Sequence, residues 1–173
     1  MVNLVFMLMG GLSVKRVFYL LDKIMDYAVF LILLALVVIG GMQVFCRYAF
    51  NYSLTWSEEI LRYLLIWLVF FAMGVGLRRN AHIGMNIVVD KLPPKGRQIM
   101  GSLVYVVAMV FSGILIFYTR EIIKVTIYQM TPSLGISIGV VYCGVLIGSI
   151  YTFIVGLRRF IESMGMAIDT NKG

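Results

Sequence analysis

The sequence is poor in charge, proline, cysteine and histidine. Only 13% of its 173 residues are charged, and only eight are acidic. Soluble domains carry about 25% charged residues, so this chain cannot coat a water-facing surface while hiding an apolar fraction of 61%. Three prolines and tightly clustered charges exclude a disordered or collagen-like chain. One histidine and two cysteines, Cys46 and Cys143, without a CxxC spacing, are too few ligands for a zinc or haem centre. Both cysteines are expected to be packing residues. There is no GxSxG, no Walker loop and no HExxH. No catalytic, cofactor-binding or metal-ligating residue is expected, and the chain does not read as an enzyme.

Long uncharged runs are what the sequence has in abundance, with a mean hydropathy of +0.97. A helix needs about 20 apolar residues to cross the hydrocarbon core. Uncharged runs lie between Asp26 and Arg47, Arg62 and Arg78, Arg97 and Arg120, and Lys124 and Arg158. They predict spans over about residues 26–46, 60–77, 98–119 and 135–157. The runs are apolar on all sides, so a β-barrel with its period-2 alternation is excluded. The net charge of +7 does not point to nucleic acid, because the basic residues sit between the runs and mark membrane edges. The expected fold is an all-α membrane protein of four transmembrane helices.

Cytoplasmic loops collect Lys and Arg. The two tails and the second loop hold 11 basic residues, against 4 in the first and third loops. Both termini are therefore expected in the cytoplasm. The organisation read from this is an N-terminal segment with an interfacial helix (1–23), a four-helix domain (24–159) and a cytoplasmic tail (160–173). The apolar start, MVNLVFMLMGGLS, has no basic residue before it and no small-residue cleavage site, so a cleaved signal peptide is not expected. Gly10-Gly11 is expected to break any helix and Ser13 to cap a new one. In that helix Val14, Val17, Phe18, Leu21 and Met25 share one face, with Lys15, Arg16, Tyr19, Asp22 and Lys23 largely opposite. It reads as an interfacial helix, with a cytosolic extension of the first span as the alternative. In the second loop His82, Asn86 and Asp90 share a helical face ahead of Pro93, which predicts a short helix on the cytoplasmic surface.

The spans contain no interior charge, no proline and no convincing repeat. Ion-coupled carriers need ionisable or broken-helix sites near the midplane, and a small four-helix multidrug exporter would need a carboxylate in its first span. Tyr27–Cys46 has none, so the chain is not expected to carry a solute alone. Small residues do recur at helical spacing: Gly135, Gly139 and Cys143; Gly144, Gly148 and Thr152; Gly101, Ala108 and Ser112. Small residues let helix backbones approach in lipid. Two uses stay open, packing among the four helices and docking onto a larger membrane subunit.

The first external loop carries the densest local signal. Thr55 with Glu58 fits a capping box, and Glu58 and Glu59 suit the positive end of a helix dipole. Arg62 lies within salt-bridge spacing of both. Tyr48, Tyr52, Trp56 and Tyr63 form an aromatic belt. The carboxylates and Arg62 would either hold a partner or fix the first hairpin.

Four stretches in order, QVFCRY (Gln43–Tyr48), WSEE (Trp56–Glu59), GLRRNAHI (Gly76–Ile83) and LPP (Leu92–Pro94), resemble the small membrane subunit of TRAP, or tripartite ATP-independent periplasmic, transporters. The resemblance runs from about Asp22 to about Arg159. It implies a bacterial cytoplasmic-membrane protein acting as static scaffold for a large membrane subunit. The large subunit would carry sodium and substrate, and a periplasmic binding protein would deliver a small organic anion, such as a C4-dicarboxylate or sialic acid. By motif match, Arg47, Trp56, Glu58, Glu59, Arg78, Arg79 and His82 are the family-type positions. With Arg62 they are the expected partner or lipid contacts, and Arg78 and Arg79 are also expected to set topology and touch lipid phosphates. No cofactor is expected on this chain. The alternatives are a free-standing four-helix transporter or channel, and a membrane assembly or regulatory protein.

Overall fold

A computed structural model of the chain describes residues 11–52, 54–79 and 94–170. His82 and the helix expected around it lie outside these residues. Four helices run through the described chain: α1 (Gly11–Phe50), α2 (Thr55–Arg78), α3 (Pro94–Thr126) and α4 (Ile138–Thr170). Each is long and apolar enough to cross a membrane. Lipid offers the backbone no water, so every peptide group must bond within its own helix, and the apolar runs have no other stable form.

α1 takes the second of the two arrangements read in the sequence, a helical extension of the first span. It continues without interruption from Gly11 to Phe50, so residues 13–25 are the opening turns of the first span's own helix. Among the described residues no separate interfacial helix precedes it. The reason is local: no proline occurs between Ser13 and Phe50, and Gly40-Gly41 lie in mid-helix. Residues 18, 22, 25, 29, 32, 36, 39, 43 and 46 of α1 are buried or half-buried, alternating four and three apart. That is the seam of a helix packed along one neighbour. It departs from the amphipathic face read in the sequence: Val17 and Leu21 are exposed, whereas Asp22 falls on the seam.

α4 is the central helix. It packs most extensively on α3 and next on α2, while α1 lies along α2, so the row reads α1–α2–α4–α3. The buried core joins Met25 and Ile32 of α1, Phe71, Val75 and Leu77 of α2, and Tyr151 and Val155 of α4. α2 approaches α4 closely, and glycine makes it possible. A Cβ on Gly148 would sit 2.8 Å from the carbonyl carbon of Phe70, and one on Gly144 would lie inside the Trp67 ring. Across the same contact Gly74 makes room for the Tyr151 ring. Trp67 Nε1 donates to the carbonyl of Val141 at 3.0 Å.

The glycine stripes thus divide. Gly144, Gly148 and the fully buried Thr152 serve internal packing. Gly139 is buried against the backbone of Ile127. Gly135 precedes α4 and turns with φ of +64°, so Gly135, Gly139 and Cys143 do not form one helical face. In α3, Ser112 is fully buried and bonds the carbonyls of Ala108 and Met109, while Gly101 meets nothing within 4 Å. Cys143 is exposed rather than packed inside.

Candidate functional site

The polar groups gather at the two ends of the helix row. At the end holding the start of α1 and the close of α2 and α4, Asp22 and Asp26 sit one turn apart on α1. They face arginines from two other helices. Arg78 Nη2 lies 2.5 Å from Asp26 Oδ1, and Arg78 Nη1 3.4 Å from Asp22 Oδ1. Arg79 reaches Asp26 at 3.1 Å. From α4, Arg158 reaches the other Asp22 oxygen at 3.3 Å, and Tyr151 donates its hydroxyl to Asp22 at 3.0 Å. Glu162 holds Arg158 and Arg159, and Arg159 donates to the carbonyl of Arg78 at the close of α2. The network ties α1, α2 and α4 together beside the buried Met25, Leu77 and Val155. In lipid the apolar surfaces of helices have little reason to prefer one another to acyl chains, so such polar ties fix partner and register.

Sequence reasoning missed this cluster. Asp22 read as part of a solvated face, and Arg78 and Arg79 as lipid contacts. Arg78 instead is 13% exposed and committed to two aspartates; Arg79 remains 63% exposed. The available signal was the i, i+4 spacing of Asp22 and Asp26 just ahead of a span, matched by paired arginines closing two others.

At the opposite end the structure separates the two glutamates. Glu58 is exposed and accepts one hydrogen bond, from Gln43 Nε2 of α1 at 3.3 Å. Glu59 is buried. Its Oε1 accepts from the Tyr63 hydroxyl at 2.8 Å, and its Oε2 from the backbone N–H groups of Ser133 and Leu134, both at 3.1 Å. It therefore fastens the turn between α3 and α4 onto the start of α2. That turn is also closed from within: Thr131 N–H donates to the Ile136 carbonyl, and Gly135 N–H to the Thr131 carbonyl. Ser137 Oγ donates to the Ile127 carbonyl at 2.6 Å.

Two local expectations at this end are corrected. No capping box forms: Leu54 occupies the N-cap without a side-chain bond, and Thr55 is already helical. Ser57 instead turns its hydroxyl back to the Leu54 carbonyl at 2.7 Å. Neither glutamate pairs with Arg62 among the described residues. Glu59 turns instead toward two backbone donors of the α3–α4 turn, which make charge-assisted bonds to its carboxylate. Arg47 and Arg62 are exposed, Trp56 is half-buried, and Tyr48 and Tyr52 are exposed as a belt at this level.

The separation gives a testable difference. Glu59→Ala removes the acceptor of both loop N–H groups, so the Ser133 and Leu134 amides should exchange about tenfold faster or more. Glu58→Ala should leave them at wild-type rates. Hydrogen exchange read by mass spectrometry checks both, and unchanged protection in Glu59→Ala would remove the anchoring role.

Six acidic side chains accept from a donor of this same chain: Asp22, Asp26, Glu58, Glu59, Glu121 and Glu162. The chemistry available is that of a fastened frame.

Residues 36–165 match the model of the family described as "Tripartite ATP-independent periplasmic transporters, DctQ component". A Haemophilus influenzae protein assigned as a TRAP transporter small permease protein is 25% identical over 146 residues, covering 84% of this chain and 91% of its own. The sialic acid TRAP transporter small permease protein SiaQ of Vibrio cholerae is 20% identical, with 92% of each chain covered. The isethionate TRAP transporter permease protein DctMQ of Oleidesulfovibrio alaskensis is 26% identical over 59% of this chain, a match that takes in 17% of that protein.

Proposed function

The chain belongs to the DctQ component family of the tripartite ATP-independent periplasmic transporters, and on that footing we propose that it is the static scaffold of a sodium-coupled importer of a small organic anion. It is a multi-pass protein of the bacterial inner membrane and a transporter subunit, not an enzyme. Small permeases of this type work with a large permease subunit and a substrate-binding protein.

The scaffold role is supported by one observation: Asp22, Asp26 and Glu59 are committed to joining α1, α2 and α4 and to holding the α3–α4 turn. A carrier needs ionisable groups left available to its ion and substrate. Sodium and substrate are therefore assigned to the large subunit. Relatives named for sialic acid and isethionate support a small organic anion, a C4-dicarboxylate or another carboxylate among them.

Purified alone in liposomes, the chain should accumulate no organic anion against a sodium gradient. Adding a matching large subunit and binding protein should produce uptake. Accumulation by the chain alone would transfer the activity to a free-standing transporter. We place both termini in the cytoplasm, as the 11-to-4 bias in basic residues favours. A single cysteine placed at position 51 should then be labelled from the periplasm and one at position 95 should not. The opposite pattern would reverse the orientation.

A further inference from the structure

We propose that Arg62 binds the phosphate of a phospholipid and draws it inward, so that the bilayer is thinned along α2. The leaflet concerned is the one at the Glu58 end, which is the outer leaflet when both termini are cytoplasmic. The site belongs to this chain alone and does not depend on the scaffold role.

The depth of Arg62 follows from two ties between α1 and α2. At one end Arg78 holds Asp26 at 2.5 Å, and at the other Gln43 donates to Glu58 at 3.3 Å. The two antiparallel helices are thereby levelled against each other. From the second tie Arg47 lies one turn outward on α1, whereas Arg62 lies one turn inward on α2. At about 1.5 Å per residue the two arginines differ in depth by about 12 Å. A headgroup layer is only about 5–8 Å deep on each face, so a flat membrane cannot keep both among its headgroups. The uncharged lengths agree. Asp26 and Arg47 stand about 32 Å apart along α1, and Arg62 and Arg78 about 24 Å apart along α2. The first matches a hydrocarbon core of about 30 Å, and the second falls short of it by about 6 Å.

At this depth Arg62 faces outward. It is exposed, on a strip of α2 that continues through the exposed Leu65 and Val69. It makes no hydrogen bond or ion pair among the described residues. Glu58, one turn nearer the surface, accepts from Gln43, and Glu59 is turned to the α3–α4 turn. A guanidinium without an anion at hydrocarbon depth is costly. Side chains of a helix lean toward its N-terminus, and α2 starts at this end, so the apolar stem of Arg62 leads its charged head toward the headgroups. The anion found there is a phosphate, which suits the planar fork of arginine through paired hydrogen bonds. The reach of the stem makes up part of the shortfall, and local thinning of the bilayer makes up the rest. Phosphate is common to zwitterionic and anionic phospholipids, and the site takes either.

The intact chain is reconstituted in phosphatidylcholine bilayers of increasing thickness, with myristoleoyl, oleoyl and erucoyl chains, and its thermal unfolding is followed. Arg62→Leu removes the phosphate site without breaking a bond inside the chain. The variant should be most stable in a bilayer at least one step thicker than the wild type prefers, and a shared optimum would overturn the proposal. In detergent, added dioleoyl phosphatidylcholine should raise the unfolding midpoint of the wild type by about 4 °C or more, and that of Arg62→Leu by less than half as much. A dioleoyl glycolipid without phosphate, or inorganic phosphate alone, should raise neither. An equal rise with the glycolipid would leave only acyl chains bound, and one with inorganic phosphate would assign Arg62 to a free anion; either result overturns the lipid site. The rival occupant is a carboxylate of the large subunit. In that case Arg62→Leu would respond to lipid as the wild type does and lose recovery of the complex, which would also overturn the proposal.

Discussion

Gly148→Leu is expected to abolish the native packing of α2 on α4, with loss of a cooperative thermal transition in detergent. At this position a Cβ alone would lie 2.8 Å from the carbonyl carbon and the Cβ of Phe70, and 2.9 Å from its carbonyl oxygen. These are largely backbone atoms, which cannot rotate aside as a side chain can. The helices would have to move apart along their closest contact. That would unseat Trp67 over Gly144 and Tyr151 beside Gly74. Overfilling a packed contact costs about 1–3 kcal/mol, and more where the backbone must yield. Gly101→Ala is the control. A Cβ there meets nothing within 4 Å, and alanine is favoured over glycine in a helix by about 1 kcal/mol, so stability should be unchanged or raised. A normal melting transition in Gly148→Leu would show that α2 and α4 do not meet at Phe70.

The use of Gly144 and Gly148 was half legible. Their spacing marks a face able to approach another backbone, and nothing local says whose. Four spans were legible for a stronger reason: charge is costly in hydrocarbon, so the uncharged runs map directly onto helices. Helix ends were less legible. A helix does not stop where its apolar run stops, and α1 extends well ahead of Asp26 because no residue there breaks it. The missing capping box is a related case. Thr55 and Glu58 have the right spacing, but the helix begins one residue too early for Thr55 to act as a cap.

The anchors were the least legible part. The donors that hold Glu59 lie 74 and 75 residues away, and those of Asp22 lie up to 136 residues away. No periodicity over a short window can pair groups so distant. What the sequence did offer was the kind of residue: carboxylates beside spans are costly to leave unpaired, so a partner was implied even where it was not identifiable. The family resemblance marked Glu58, Glu59, Arg78 and Arg79 as positions of interest. The structure turns two of them, Glu59 and Arg78, inward.

Arg78→Leu should therefore be severe for a reason that has nothing to do with lipid phosphate. Its guanidinium is the only group among the described residues that touches both Asp22 and Asp26. Without it, Asp26 keeps only the largely exposed Arg79, and Asp22 keeps Arg158 and Tyr151. Breaking a buried pair costs about 3–5 kcal/mol because the remaining charge stays desolvated. Here residual partners and the 34% exposure of Asp26 place the expected loss near the lower end, about 3 kcal/mol. Most of it should be recovered by neutralising the stranded carboxylate. Arg78→Leu with Asp26→Asn is then expected to be more stable than the sum of the two single changes predicts, by about 1 kcal/mol or more. Unfolding in detergent measures the cycle. A lipid-facing Arg78 would behave otherwise: the single change would be mild, and the two changes would add. Additivity within about 0.5 kcal/mol would return Arg78 to the membrane surface and leave α1 held to α2 by its apolar seam, the Arg79–Asp26 pair and the Gln43–Glu58 bond.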